Sequence, residues 1–248
     1  QDVKNGIILS FLAAIVVHVI YIVGARMLGK VYTLNGVEKA TIIYTNAGNL
    51  IIPLVQALLG KEWVVYTTGY ILVSTVFIWT HGRMLICEET GFNVKELLKN
   101  VNVIASIIGI LMFALKIQLP SLITETMDSM SATIAPISMI VAGMLIAGMD
   151  VKDCLKNQRL YIIIFLKMIV FPCFALILLK FTNLSSMAKN GDMILLISLL
   201  ASVAPTAASV TQIAQIYDAD SEYASAYYFI TTLLCILTMP IFVWIYQY

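Results

Sequence analysis

The sequence predicts an all-α protein that spans a membrane several times. Of its 248 residues, 60% are hydrophobic and only 12% are charged, and the mean hydropathy is +0.94. Soluble domains carry about 25% charged residues, so this composition excludes a soluble class. The apolar stretches between charged residues also have the right length, because a helix needs roughly 20 apolar residues to cross the hydrocarbon core of a bilayer.

Eight stretches between charges qualify as spans or come close. They are residues 5–25, 40–60, 63–82, 100–115, 129–149, 160–179, 193–217 and 223–248. The polar residues 87–100 between the third and fourth spans predict a surface loop. Nine Lys and Arg lie in the connections on the side of this loop, against five on the other side. By the positive-inside rule, the loop is expected in the cytoplasm and both ends outside.

Several function classes are excluded by composition and motifs. The net charge of +1 offers no basic surface for nucleic acid. Four cysteines without a Cys-x-x-Cys pair and only two histidines predict no disulfide framework, metal site or cofactor. The Gly-x-Ser-x-Gly, His-Glu-x-x-His and phosphate-loop motifs are missing from the sequence, so we expect no enzyme, and any energy must come from a gradient.

Two of the eight spans contain a proline among polar residues. The second contains the run Thr45-Asn-Ala-Gly-Asn-Leu-Ile-Ile-Pro53, and the seventh contains Ala204-Pro-Thr-Ala-Ala-Ser-Val-Thr-Gln212. Proline leaves a backbone carbonyl unpaired, which lipid cannot satisfy. Both helices are therefore expected to be broken near the middle of the membrane and to face protein or a cavity.

The order of the spans predicts an inverted repeat. Residues 101–248 give a five-helix unit whose broken helix is fourth, whereas residues 1–86 match only the last three helices of such a unit. An odd number of helices lets a repeat recur with inverted topology, and the two broken helices then cross at a midplane site. We therefore expect eight transmembrane helices out of ten, with two more before residue 1.

These motifs resemble the auxin efflux carrier family of membrane transporters, in its short bacterial form. The resemblance runs from the first span onward. It is most specific in Leu199-Leu-Ala-Ser-Val-Ala-Pro-Thr-Ala-Ala-Ser-Val210, with Tyr217-Asp-Ala-Asp-Ser-Glu-Tyr-Ala-Ser225, Thr231–Pro240 and Asn46–Pro53 in support. It implies a ten-helix transporter of inverted five-helix repeats, with both ends outside and a multi-pass location in what is expected to be a bacterial plasma membrane.

The resemblance also implies a substrate site at the crossing. Asn46 matches the family's crossover asparagine, and Asn49 is the second choice on that helix. Thr206, Ser209 and Gln212 are the nearest polar side chains after the second break. Half-helix N-termini carry partial positive charge, which suits a carboxylate. Pro53 and Pro205 are expected to form the breaks. The plainer alternative is that these polar residues only join helices.

Lys167 is a further candidate because it lies about seven residues inside the sixth span, where a charge facing lipid is costly. Family members often have a basic residue there, which suggests that it attracts the anion or has a structural role. The alternative is that it snorkels to the membrane interface or pairs with a helix carbonyl. His18 and His81 are expected to be hydrogen-bonded packing residues. Glu125 and Asp128 are expected before the fifth span, in solvent. Gly143 and Ala147 have a spacing that suits close helix packing or a homodimer contact.

The sequence thus predicts a secondary transporter of small organic anions, with the lipid bilayer as its surroundings and alternating access around the crossing. One alternative is a sodium-coupled symporter of the bile-acid type, but neither broken segment contains the carboxylates that a sodium cage would need. Another is a membrane sensor that binds an anion without moving it.

Overall fold

The computed structural model describes residues 2–88, 99, 101–133, 136–137, 140, 143–144, 147 and 156–247. In these ranges the regular structure is helical, apart from one isolated two-residue bridge between Thr45 and Thr206. The helices are α1 (Asp2–Val31), α2 (Gly36–Ile43), α3 (Ala47–Leu58), α4 (Lys61–Ile86), α5 (Val101–Ala114), α6 (Ser121–Ala132), α7 (Gln158–Phe181), α8 (Gly191–Val203), α9 (Ala208–Ile216) and α10 (Ser221–Gln247).

Four helices, α1, α4, α7 and α10, are long and apolar enough to cross a membrane. Two of them contain a wider π-helical turn, at Ile78–Gly82 in α4 and at Leu166–Val170 in α7. The chain is therefore an all-α, multi-pass membrane protein. Eight spans and an inverted repeat stay predictions, because only these four meet the length and hydropathy requirement among the residues described here.

The second and seventh predicted spans each consist of two short helices. Residues 40–60 lie largely in α2 and α3, and residues 193–217 in α8 and α9. Helix α8 is the centre of the fold. Every residue from Ile194 to Val203 is buried, and the helix contacts α1, α3, α4, α7 and α10. A helix that is apolar on all sides lies either in a protein core or in lipid, and here protein covers it on all sides. The second break therefore begins inside the core.

Close packing of α1 on α4 depends on a glycine. A Cβ atom added to Gly69 would lie 2.7 Å from the backbone nitrogen of Phe11, closer than real contacts allow. The missing side chain lets the two helices approach backbone to backbone, as small residues do in membrane helix pairs.

At one end of the molecule, an ion pair joins α2 to α7. Asn35 and Glu38 form a capping box at the start of α2, and the Glu38 carboxylate, which is 3% exposed, also accepts from Nε and Nη2 of Arg159. Asn157 caps α7 and donates from Nδ2 to the Tyr223 hydroxyl of α10 at 2.8 Å. Three helix ends are thus held together.

The remaining sequence predictions fall near the undescribed ranges. Glu125 and Asp128 lie on the exposed helix α6, in solvent as expected, and much of the predicted fifth span after them lies outside the described residues. The predicted loop 87–100 lies outside the described residues except at positions 87, 88 and 99. The homodimer contact at Gly143 and Ala147 stays a prediction.

Candidate functional site

The two breaks lie against each other. Thr45, between α2 and α3, stands opposite Thr206, between α8 and α9, in an antiparallel bridge. The Asn46 N–H donates to the Pro205 carbonyl at 2.7 Å, and the Ala207 N–H donates to the Tyr44 carbonyl at 3.1 Å. The unwound segments therefore satisfy each other's backbone groups, which would otherwise be unpaired inside the protein.

The breaks have different local causes. Pro205 has no N–H and disfavours helical geometry in the residue before it, and Ala204 has ψ 153°. Between α2 and α3 there is no proline. Tyr44 is extended, with φ −95° and ψ 129°. Pro53 lies inside α3 and is exposed. The expectation that Pro53 forms the first break was therefore wrong: the helix has already restarted at Ala47.

Side chains from two other helices complete the crossing. The Thr206 N–H donates to Thr231 Oγ1 of α10 at 3.1 Å. Lys167 is completely buried, and its Nζ donates to the carbonyls of Ile42 at 3.0 Å and Tyr44 at 3.3 Å. In a continuous helix the Ile42 carbonyl would accept from the Asn46 N–H. Because Asn46 binds Pro205 instead, Lys167 supplies the donor that the break removes.

A cavity of about 130 Å³ opens beside the crossing. Its polar lining comes from three helices. Asn46 and Asn49 belong to the start of α3, Ser209 and Gln212 to α9, and Ser74 and Thr75 to α4, with Thr45, Gly48, Ile71, Ile78, Trp79, Ala207 and Ala208 completing the wall. None of the residues seen to line this cavity is acidic or basic.

The cavity also receives the N-terminal turns of two half-helices. Helix α3 begins at Ala47 and α9 at Ala208, and the first turn of each lines the same space. Within the described part of the chain, neither helix start has a side-chain cap. The first N–H groups of a helix have no partner inside the helix and carry partial positive charge. Two such ends in one small cavity favour a negatively charged ligand.

The structure brings together four of the eight predicted site residues. Asn46, Asn49, Ser209 and Gln212 line the cavity. The other four do not: Pro205 and Thr206 form the crossing itself, Lys167 binds carbonyls behind it, and Pro53 lies in α3. For Lys167 the carbonyl-pairing alternative describes the observed contacts. The Thr206 hydroxyl is buried and has no hydrogen-bond partner among the described residues.

Sequence reasoning missed the contributions of α4 and α10. Ser74, Thr75 and Trp79 line the cavity from α4, and Thr231 supports the crossing from α10. A lone serine or threonine in an apolar helix gives little signal, because such residues usually bond to their own backbone. Thr75 does so here, donating to the Ile71 carbonyl at 2.8 Å.

Both histidines lie near the crossing but outside the cavity wall. His18 is buried, bonds through Nδ1 to the Ala14 carbonyl at 2.8 Å and stacks on Phe77. His81 forms a 2.8 Å hydrogen bond through Nδ1 with the Tyr44 hydroxyl. Each is a hydrogen-bonded packing residue, as expected. The His81 contact also fixes the side chain of the residue at which the first helix breaks.

Apolar membrane helices, two broken helices that cross and a polar cavity at the crossing are the features of a membrane transport protein. The sequence profile of the family described as "Membrane transport protein" matches residues 86–243. The chain belongs to this family, that of the auxin efflux carriers. The match includes the second break and Thr231, whereas Asn46 and Asn49 precede it. Curated protein sequences give no match.

Proposed function

We propose that this protein is a secondary transporter of small organic anions in the cell membrane, here a bacterial plasma membrane. The anion binds in the cavity at the crossing and gains access to each side of the membrane in turn. In this proposal residues 1–86 and 101–248 are parts of two inverted repeats, and the crossing helices move together as the transport unit.

The convergence of two helix N-termini on one cavity carries this proposal. The starts of α3 and α9 both line it, so their free N–H groups can donate to the same carboxylate. The Asn46 and Asn49 carboxamides add donors, each with two N–H bonds to offer. Lys167 Nζ lies behind the crossing on the Tyr44 carbonyl and, when protonated, adds positive charge nearby. The same partial positive charges would repel a cation.

The size of the cavity favours a small ligand. Pockets for drug-sized molecules have volumes of about 300–1,000 Å³, whereas this one has about 130 Å³. Short carboxylates such as malonate or malate are therefore better candidates than aromatic acids. The walls contain Ile71, Ile78 and Trp79 beside the polar groups, which suits a ligand with a carboxylate at one end and a few carbons at the other.

The two alternatives predict different behaviour. A bile-acid-type symporter needs oxygen ligands for sodium, and no carboxylate lines this cavity in the described part of the chain. A sensor would bind the anion without moving it. Uptake of labelled malonate and malate into vesicles containing the purified full chain separates transport from sensing, because a sensor gives binding without uptake.

The site itself is tested with Asn46→Ala. A hydrogen bond to a charged acceptor contributes about 1.5–3 kcal/mol, so the affinity for the anion should fall roughly ten- to hundredfold. Asn190→Ala is the matched control, since Asn190 also stands at the N-cap of a helix without a capping bond but is exposed and outside the cavity. Unchanged affinity with a lowered melting temperature in Asn46→Ala would show that Asn46 only joins helices.

A further inference from the structure

The carbonyl end of α2 points into the protein interior at the crossing. Helix C-termini carry partial negative charge and leave their last carbonyls unpaired. In transporters with broken helices, such ends and the unwound carbonyls beside them are where a coupling sodium ion or proton binds. Here that position holds the ammonium of Lys167, 3.0 Å from the Ile42 carbonyl and 3.3 Å from the Tyr44 carbonyl.

We propose that Lys167, in its protonated form, takes the place of a coupling cation. Its ammonium is a cation fixed to the chain, held by the carbonyls that would otherwise ligate a sodium ion, so the crossing needs no dissolved cation to keep its shape. This inference rests on the proposed transport function. If the protein transports the anion, uptake should not require sodium.

The local structure of α7 supports this role. Lys167 lies in the π-helical turn Leu166–Val170 and is 0% exposed, so its side chain is directed into the core and away from lipid. π-Turns are frequent at functional sites. The Tyr44 carbonyl also accepts from the Ala207 N–H, so the ammonium binds an atom that itself joins the two unwound segments.

The other carbonyl end at the crossing is treated differently. At the end of α8, the Tyr21 hydroxyl donates to the Ser202 carbonyl at 3.4 Å. One break thus has a neutral donor and the other has an ammonium. Both carbonyl ends therefore have a side-chain donor. The positive charge of protonated Lys167 at the end of α2 also raises the electrostatic potential of the adjoining cavity, which favours an anion.

Two substitutions separate a cation role from simple packing. Lys167→Ala removes the ammonium and leaves space that a small cation can enter, whereas Lys167→Met removes the charge and keeps the space filled. Lys180→Ala is the matched control. Lys180 also points at two carbonyls, those of Ile245 and Tyr246 at 3.4 Å, but it is exposed at the end of α7.

The melting temperature of each purified protein is measured without substrate, in chloride salts of choline, sodium, potassium or methylammonium at constant ionic strength and pH. The wild type should melt at the same temperature in all four. In choline, both Lys167 variants should melt roughly 5–10 °C lower, because buried carbonyls lose a charged donor. Sodium or methylammonium should restore at least half of this loss in Lys167→Ala and none in Lys167→Met. Lys180→Ala should behave as wild type.

Two results would overturn the inference. The first is a wild type that melts higher in sodium than in choline, which would show a separate sodium site. The second is a Lys167→Ala protein whose melting temperature no small cation raises. Failure to purify Lys167→Ala in any of the four salts counts as the same result. Recovery of folded Lys167→Ala only in sodium or methylammonium would support it. Since no substrate is present, either failure is distinct from a failure of anion transport.

Discussion

Replacing Thr231 with valine should destabilise the crossing. Thr231 belongs to α10, none of whose described residues lines the cavity. The Thr231 hydroxyl accepts from the Thr206 N–H at 3.1 Å and donates to the Tyr227 carbonyl at 2.6 Å. Thr206 and Thr231 are both 0% exposed. Valine keeps the volume and removes the acceptor, so the Thr206 N–H becomes an unpaired donor in the interior.

The expected loss of unfolding free energy follows from the hydrogen bonds that the Thr231 and Thr232 hydroxyls form. A buried N–H without a partner costs about 1–3 kcal/mol, and each kcal/mol lowers the melting temperature by roughly 2–4 °C in a chain of this size. The neighbouring Thr232 is the control, because its hydroxyl donates only to the Tyr228 carbonyl of its own helix at 2.6 Å. Thr232→Val leaves no unpaired donor and should change the unfolding free energy by less than about 0.5 kcal/mol.

Thermal unfolding of the two purified variants, followed at one scan rate in the same detergent, compares the two hydroxyls directly. Thr231→Val should melt several degrees below Thr232→Val. Equal melting temperatures would refute the reasoning, since they would mean that the Thr206 N–H is satisfied elsewhere and that α10 does not support the crossing.

Three further outcomes are expected. Gly69→Ala should lower stability by about 1–3 kcal/mol, because its Cβ would meet the backbone of α1. Gly109→Ala should leave stability unchanged, because an added Cβ there meets no described atom within 4 Å. Thermal unfolding measures both variants. Glu38→Gln should lower stability by roughly 1–2 kcal/mol by removing the negative charge that pairs with Arg159, which keeps its bond to the Thr33 carbonyl. The figure is discounted because the Arg159 side chain is 40% exposed, and high salt should weaken the effect. Cys87 should be labelled by an impermeant maleimide only from the cytoplasmic side of sealed vesicles; labelling only from outside would reverse the predicted topology.

The sequence was sufficient for the class of fold and for the existence of two breaks. Pro205 breaks its helix through its own geometry, so the second break could be predicted to within a residue or two. The first break was predicted near Asn46–Pro53 and lies at the start of that range, where the Asn46 N–H and the Tyr44 carbonyl bond to a segment about 160 residues away in the chain. These long-range bonds, and not Pro53, form the first break, because Pro53 lies inside a helix.

The site was predictable where polar residues follow a break and unpredictable where they lie on intact helices. Asn46 and Asn49 lie at the start of α3, Ser209 and Gln212 lie in the first two turns of α9, and the cavity forms there. Ser74 of α4 enters the wall only through tertiary packing. For Lys167 the depth in the helix predicted burial, whereas its direction, toward the carbonyls of α2, depends on the π-turn in α7.

The central claim, that an anion binds where the two helix starts meet, is tested most directly by giving the site a negative charge of its own. Asn46→Asp keeps the shape of the side chain and places a carboxylate in the cavity, while Asn190→Asp makes the same change at an exposed N-cap. Equilibrium binding of labelled malonate to the purified proteins should fall at least a hundredfold in Asn46→Asp and remain unchanged in Asn190→Asp. Binding to Asn46→Asp as tight as to the wild type would contradict the account.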